Sequence, residues 1–372
     1  MSFQTFLDNR TPFTADKFVL PDKDGQEIVL VVVSATFQQD GSQSGLVLSA
    51  EQMPLELADL HFGPPHIASV CRESDIALEK PFVDVLINGS AYAPRGQPAT
   101  SLSVKIMVGD VRKALLVSGD RKWRKGSFGS ASSSPQPFLS MPITYERAFG
   151  GIDTRPDDPT KHSADVRNRS GVGFRGTCSY DPKILTDLPN VEYPSDRQTA
   201  QSDLPRPAGL GVVSRSWQPR LAFAGTFDET WLARQWPLLP TDFDTRHYQA
   251  APQDQQSRTL KGGEPVVLQN LTPESLWQFL LPTMKVPAWL IFDNRIEDLR
   301  MRLDTIMIEP DKKRVTLTCR ASIKTLRNRA ALREIVIGHM SAGWLRARHN
   351  GKRYVDLSGN NGVLLSESDY VL

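Results

Sequence analysis

Residues 28–37, which read IVLVVVSATF, decide the fold class of this chain of 372 residues. The run is rich in β-branched side chains and lacks the polar alternation of a half-buried strand. We therefore expect a strand that is buried on both of its faces. Residues 82–88 alternate between apolar and polar side chains and end at Gly89, which predicts a half-buried strand, and residues 286–292 are another strand candidate.

Two hairpins are predicted on either side of the chain's midpoint. Residues 102–108 and 111–118 flank Gly109-Asp110, a turn signal with glycine in the first position. Residues 300–308 and 314–323 flank a five-residue connection, and apolar and polar side chains alternate in the second strand. The sequence thus predicts a mainly β fold, with antiparallel sheets in a sandwich-like or barrel-like arrangement.

Helix signals are few, and each predicted helix is short. One helix is predicted to begin at Thr272, with Pro273 in its first turn, and to carry Leu276, Trp277 and Leu280.

Two more helices complete this prediction. Asp228 is expected to cap a helix that runs through Trp231 and Arg234. Residues 326–332 form the third candidate.

The chain divides by composition into a large β-rich part, residues 1–325, and a C-terminal extension, residues 326–372. Within the first part, residues 1–125 and 211–325 are expected to form either one domain or two β subdomains. Residues 126–210 join them and are rich in Pro, Gly, Asp and Arg, which predicts long loops. The end of the chain, from residue 341, is predicted to be a β-type tail with strands at 353–357 and 363–365.

Composition excludes several classes of protein. Hydrophobic residues make up 40% and charged residues 23%, and the formal charge is only +2, so we expect no general nucleic-acid binder. The three cysteines form no CxxC pair, which argues against a zinc ribbon or a redox pair. No signal peptide is evident, and the longest apolar run falls far short of the roughly 20 residues that span a membrane. We expect a soluble, cytoplasmic protein.

The densest group of unusual residues lies in residues 141–151, which read MPITYERAFGG. Tyr145 and Phe149 supply apolar area, and Glu146 and Arg147 are expected to form a charge-assisted pair if they are partly buried. The two glycines that end the run permit positive φ angles or a close backbone approach. This mixture predicts a structural corner beneath a binding surface rather than a reaction centre. Candidate partner-binding residues are Tyr145, Glu146, Arg147 and Phe149 here, and Asp242, Asp244 and His247 further along the chain.

Three tryptophans crowd into 20 residues and are candidate partner contacts. These are Trp217, Trp231 and Trp236, with several phenylalanines nearby. Tryptophan is typical of the anchors of protein interfaces, and core packing is the alternative. We expect at least one of the three to be an exposed anchor.

Asp242, Asp244 and His247 form the pattern D-x-D-x-x-H. Two carboxylates and an imidazole are able to bind a divalent ion or to share proton transfer. The alternative is that the aspartates make turns, because Asp242 follows Pro240 and Thr241. No other motif supplies a complete catalytic or metal signature, so no cofactor is expected.

Nine stretches of this chain, in order, resemble one bacterial family. They are NRTPF (9–13), VVVSATF (31–37), KPFVDVLINGSAYAP (80–94), VSGDRKW (117–123), MPITYERAFGG (141–151), NRSGVGF (168–174), PRLAFAGTFDETW (219–231), PLLPTDFDTRHYQAAPQDQQ (237–256) and GGEPVVLQNLTPE (262–274). The chain resembles the accessory proteins of the type VI secretion system that share domain-of-unknown-function 2169. The resemblance extends over roughly residues 9–325, with Ser170 where a proline is expected, and does not cover the region after about residue 340.

The resemblance implies an adaptor or chaperone without catalytic residues. Such a protein helps to load a toxic effector onto a secretion spike made of VgrG and tipped by a PAAR protein. Its contacts are expected on exposed strand edges and on loops that bear aromatic or arginine side chains. Two other functions stay open: a metal-dependent hydrolase that uses the D-x-D-x-x-H residues, and a carbohydrate- or envelope-binding module with Trp217 and Trp231 as sugar platforms.

Overall fold

The computed structural model describes residues 5–41, 45–126, 129–176, 186–324, 332–350 and 352. Most of the regular structure in these residues is β-strand, so the predicted mainly β class is confirmed. The α-helices of the described residues are α1 (Glu229–Arg234) and α2 (Ala342–His349). No helix within these ranges is both long and apolar enough to cross a membrane.

The strands are numbered in chain order. The first thirteen are β1 (Phe6–Asn9), β2 (Thr14–Pro21), β3 (Glu27–Gln39), β4 (Leu46–Leu48), β5 (Leu60–His61), β6 (Val70–Arg72), β7 (Val83–Ile87), β8 (Ser90–Tyr92), β9 (Ser101–Val108), β10 (Val111–Ser118), β11 (Trp123–Gly126), β12 (Gly129–Ser132) and β13 (Ser140–Pro142). The others are β14 (Phe149–Gly150), β15 (Ile152–Asp153), β16 (Ser163–Ala164), β17 (Val172–Gly173), β18 (Val191–Glu192), β19 (Gln256–Ser257), β20 (Pro265–Gln269), β21 (Leu276–Leu280), β22 (Ala288–Phe292), β23 (Ile296–Asp298), β24 (Arg302–Glu309), β25 (Arg314–Lys324) and β26 (Leu332–Ile337).

The largest sheet contains the fold-deciding stretch as strand β3. Its order is β19-β7-β24-β25-β3-β2, with β4 also paired to β3. All residues of 28–37 are buried, as the sequence predicts, because strands flank β3 on both edges and other elements cover both faces. The predicted hairpin of β24 and β25 is confirmed, and the predicted strand at 82–88 is β7, which is fully buried rather than half-buried.

A second sheet has the order β18-β10-β9-β20-β21. It contains the predicted hairpin of β9 and β10, in which Gly109 has a φ of 56°. The helix predicted to begin at Thr272 is wrong: this segment turns and continues as strand β21. Ser275 adopts a left-handed φ of 66°, which ends any helical start, and side chains in β21 alternate between exposed and buried.

A third sheet has the order β1-β26-β22-β23 and contains the strand predicted at 286–292 as β22. Strand β26 lies in the predicted C-terminal extension, yet it pairs with β1 on one side and β22 on the other. The predicted β-type tail is corrected in part, because residues 342–349 are helix α2. The strands predicted at 353–357 and 363–365 lie outside the described residues. The helix predicted at 326–332 also lies outside them, except for Leu332, which is the first residue of β26.

One hydrophobic core lies between the three sheets. It joins side chains of β3, β7, β24 and β25 to those of β9, β10, β20 and β21, and to those of β22 and β26. Each of the two larger sheets contains strands from both residues 1–125 and residues 211–325. The described part of the predicted loop-rich segment, 126–210, contains only strands of two to four residues and one-turn helices.

Candidate functional site

The segment from Trp217 to Tyr248 contains the three predicted tryptophans and is called here the aromatic segment. Asp228 caps helix α1, as predicted, because its Oδ1 accepts a hydrogen bond of 2.7 Å from the backbone N–H of Trp231. Single turns of 3-10 helix form at 220–223 and 245–248, and they pack against each other. Most of the segment is therefore ordered by local caps rather than by strands.

Two buried residues fix the aromatic segment to the body of the protein. Arg220 donates to the carboxylate of Glu73 at 2.7 Å and to the carbonyl oxygens of Val213 and His247. Trp217 is only 4% exposed and packs edge-on against Tyr145, with ring centroids 5.4 Å apart. Trp217 therefore supports the segment from within the fold and does not face solvent.

Four large apolar side chains of the segment face solvent, among exposed polar and charged residues. Trp236 is 64% exposed and Leu232 is 62% exposed, and Leu221 and Phe227 are exposed as well. Trp231 is half-buried, packs edge-on against Phe227 and donates its indole N–H to the carbonyl of Leu238 at 2.9 Å. We call Leu221, Phe227, Leu232 and Trp236 the apolar patch; it contains the exposed tryptophan that the sequence predicts.

An open cleft of about 680 Å³ adjoins this segment. The turn between β2 and β3 forms one wall, and it is tied to the aromatic segment by bonds from Gln235 to the Lys23 carbonyl and from Lys23 to the Thr241 carbonyl. The other walls include Leu239, Phe243 and Tyr248 of the aromatic segment, and Arg300 and Arg302 near the start of β24. The cleft therefore combines aromatic side chains with charged side chains of both signs.

A buried ionic network lies under the cleft. Lys80 Nζ lies 2.8 Å from Asp84 Oδ2 and 3.0 Å from the hydroxyl of Thr305. Asp84 also accepts hydrogen bonds from Gln249 Nε2 and from the backbone N–H groups of Ala250 and Ala251. These bonds hold the residues that directly follow the aromatic segment against β7.

Arg320 and Asp304 extend this network from β25 and β24. Arg320 pairs with Asp304, and also with Asp75 at 2.9 Å. Burial raises the pKa of Asp304, and the neighbouring charges of Arg320 and Lys80 act in the opposite direction. Sequence reasoning missed this network, and its signal is the charged Asp84 within the otherwise apolar run FVDVLI.

The predicted corner at 141–151 is present, but its charged residues do not pair with each other. Glu146 accepts bonds from the N–H and hydroxyl of Ser69 at 2.6 and 2.9 Å. Arg147 instead donates to Asn190 at 3.1 Å and to Asp120 at 3.4 Å. The expected charge-assisted pair is wrong because the two side chains point to different segments of the chain.

Backbone geometry at this corner requires glycine. Gly150 and Gly151 have φ angles of 146° and 110°, and a Cβ on Gly150 would lie 2.2 Å from the carbonyl oxygen of Asn168. Asn168 donates to the carbonyls of Tyr145 and Phe149, both of which are buried. Tyr145 and Phe149 therefore shape the corner and offer no exposed surface to a partner.

The three residues of the D-x-D-x-x-H pattern are engaged in local contacts. Asp242 accepts from the N–H and hydroxyl of Thr226, and these two bonds hold the pKa of Asp242 below its usual value. Asp244 caps the 245–248 turn and pairs with Arg246 at 2.6 Å, and the Arg246 side chain lowers the pKa of Asp244.

His247 completes the pattern but faces a different neighbour. Its Nδ1 lies 3.1 Å from the carbonyl of Arg220, and burial lowers its pKa. Across the described ranges, no cluster of three or more His, Cys, Asp and Glu side chains is arranged to hold a metal ion. The observed contacts fit the turn-making alternative for Asp242 and Asp244.

The fold and site define a mainly β protein with an exposed apolar patch and an adjoining open cleft. Residues 24–320 match the model of a bacterial family described as an uncharacterized protein conserved in bacteria, DUF2169. The match covers most of the chain, so the protein belongs to this family. No curated protein and no solved structure matches the chain.

Proposed function

We propose that this protein is a non-enzymatic adaptor or chaperone of bacterial type VI secretion. It binds a toxic effector, or the PAAR or VgrG spike protein that carries the effector, and aids loading in the cytoplasm before secretion. The observation that carries the proposal is the apolar patch, because large exposed apolar side chains grouped on one segment mark protein-binding sites. The nine family-like stretches support the choice of secretion partner, and two of them, 219–231 and 237–256, overlap the aromatic segment.

The arrangement of the aromatic segment suits binding without large rearrangement. Arg220 and Trp217 hold its inner side in the body of the protein, so the exposed Leu232 and Trp236 lie on a supported surface. Interface anchors lose less conformational entropy on binding when their scaffold is already ordered. The neighbouring cleft, with Arg300 and Arg302 in its wall, provides a recess for an adjoining part of the same partner.

The proposal is tested by affinity purification from the native bacterium, with the folded chain as bait and mass spectrometry to identify its partners. We expect recovery of a protein with a PAAR, VgrG or toxin domain. An unrelated folded bait of similar charge, processed in parallel, identifies nonspecific binders. Failure to recover any secretion component with a folded bait would contradict the proposal.

A further inference from the structure

Strand β21 differs from the other edge strands of the three larger sheets. Within the described residues it has one neighbouring strand, β20, and its sequence LWQFL contains neither a charge nor a proline. The edges β18 and β19 have only two residues each, β23 has three, and β4 has three. The longer edges β1 and β2 carry Asp8 and Asp16-Lys17, charges that discourage pairing with another chain.

The hydrogen-bond pattern between β20 and β21 shows which backbone groups of β21 face the open edge of the sheet. Asn270 donates to the carbonyl of Ser275, and Leu281 donates to the carbonyl of Glu264. Antiparallel ladders alternate between hydrogen-bonded and non-hydrogen-bonded pairs, so Trp277 and Phe279 direct their backbone groups toward β20. The N–H and C=O groups of Leu276, Gln278 and Leu280 consequently point away from the sheet.

The same three residues also present their side chains to solvent. Leu276 is 48% exposed and Leu280 is 67% exposed, and Gln278 between them is exposed too. Trp277 and Phe279 lie on the opposite face in the core. The edge thus offers both unpaired backbone groups and a short apolar surface, which are the two requirements for adding a strand.

We propose that β21 pairs with β21 of a second copy of this chain across a twofold axis at Gln278. In this antiparallel register, Leu276 of each copy lies opposite Leu280 of the partner subunit, and the two Gln278 residues lie opposite each other. About six backbone hydrogen bonds form, two for each of the three hydrogen-bonded pairs. The two five-stranded sheets become one continuous sheet.

A second copy fits this edge better than an unrelated strand because the pattern Leu-x-Gln-x-Leu is self-complementary. A twofold interface places the same patch on both subunits, so each apolar residue must meet an apolar residue of its own sequence. Leucine meets leucine in this register, and no charge is brought opposite a like charge. The bend at Ser275 and the end of β21 at Leu280 limit the added strand to five residues, so we expect a weak dimer that dissociates at about micromolar concentration.

The first test is sedimentation equilibrium of the full chain over a range of concentrations, with wild type and Gln278→Pro compared. Proline removes the N–H that faces the open edge, and edge strands tolerate it because that N–H has no partner within the sheet. We expect wild type to shift from monomer to dimer and Gln278→Pro to remain monomeric with an unchanged circular dichroism spectrum. Gln278→Thr is the matched control, because it keeps the N–H and should still dimerise.

A charge exchange tests the register without relying on proline. The variants Leu276→Lys/Leu280→Lys and Leu276→Glu/Leu280→Glu each oppose like charges across the axis, so each alone should lose at least tenfold in dimer affinity. An equimolar mixture should form a heterodimer, because lysine then meets glutamate at both ends. A wild-type chain that stays monomeric at all concentrations, or a dimer that none of these variants weakens, would overturn the proposal. Partner recovery by the apolar patch is measured separately and does not depend on this result.

Discussion

Lys80 Nζ lies 2.8 Å from Asp84 Oδ2, and the two side chains are only 4% and 0% exposed. The pair joins the residues that precede β7 to the middle of that strand, and Asp84 in turn binds the backbone of Ala250 and Ala251. A buried carboxylate is stable only when it is fully hydrogen-bonded. This contact therefore couples the core of the large sheet to the residues that directly follow the aromatic segment.

Replacing Lys80 with methionine should destabilise the protein by about 3–5 kcal/mol, since it leaves the buried Asp84 carboxylate without its cation. The exposed pair of Lys122 and Asp187 offers a matched control at 3.5 Å. Lys122→Met should cost less than about 1 kcal/mol. Urea unfolding of both variants measures the two values, and equal effects would show that the buried pair has no special role.

The lowered pKa of Asp153 predicts that the free energy of unfolding decreases at acidic pH. The hydrogen-bonded Arg155 side chain lowers the pKa of Asp153 to about 2. Because the folded pKa lies below the unfolded value, this stabilisation is present above pH 4 and is lost as the pH falls toward 2. The difference in the free energy of unfolding between wild type and Asp153→Asn should therefore shrink by up to about 2 kcal/mol as the pH falls from 5.5 to 2.5. A difference that stays constant over this range would contradict the assignment.

Gly150→Ala should destabilise the 141–151 corner, because its Cβ would meet the Asn168 carbonyl oxygen and its φ of 146° disfavours any side chain. We expect a loss of about 3 kcal/mol or more in the free energy of unfolding, or a failure to fold. Gly45→Ala is the control, since among the described residues no atom beyond its chain neighbours lies within 4 Å of its added Cβ. Thermal unfolding that is the same for both variants would refute the steric role of Gly150.

Metal analysis of the purified protein should find no stoichiometric zinc or manganese. Asp242, Asp244 and His247 are engaged by Thr226, Arg246 and the Arg220 carbonyl respectively, so the pattern has no assembled ligand set. Elemental analysis of wild type and His247→Ala provides the comparison. One equivalent of metal in wild type that is lost in His247→Ala would support the hydrolase alternative instead.

The core strands could be predicted from local sequence because their patterns are local. The continuous β-branched run of β3 and the Gly109-Asp110 turn each carry a signal within a few residues. Strand β21 could not be predicted in the same way, since Thr272-Pro273-Glu274 is a favourable helix start in isolation. Its strand conformation depends on pairing with β20 and on burial of Trp277 and Phe279 in the shared core.

The site was only partly predictable for a similar reason. The sequence indicated that the tryptophans are candidates for binding, but a local pattern does not show which of them faces solvent. Burial of Trp217 depends on Tyr145, which lies 72 residues earlier, and exposure of Trp236 depends on the path of the chain after α1. The partners of Glu146 and Arg147, Ser69 and Asn190, are likewise distant in sequence.

The most direct test of the central claim compares partner binding by wild type and by Leu232→Asp/Trp236→Ser. Both substitutions lie on the apolar patch, and Leu139→Asp is the control at an exposed leucine outside the aromatic segment. The bound fraction of the recovered secretion partner should fall at least tenfold for the patch variant and stay near the wild-type value for Leu139→Asp. Equal binding by wild type and the patch variant, with both proteins folded, would contradict the claim that the apolar patch binds the partner.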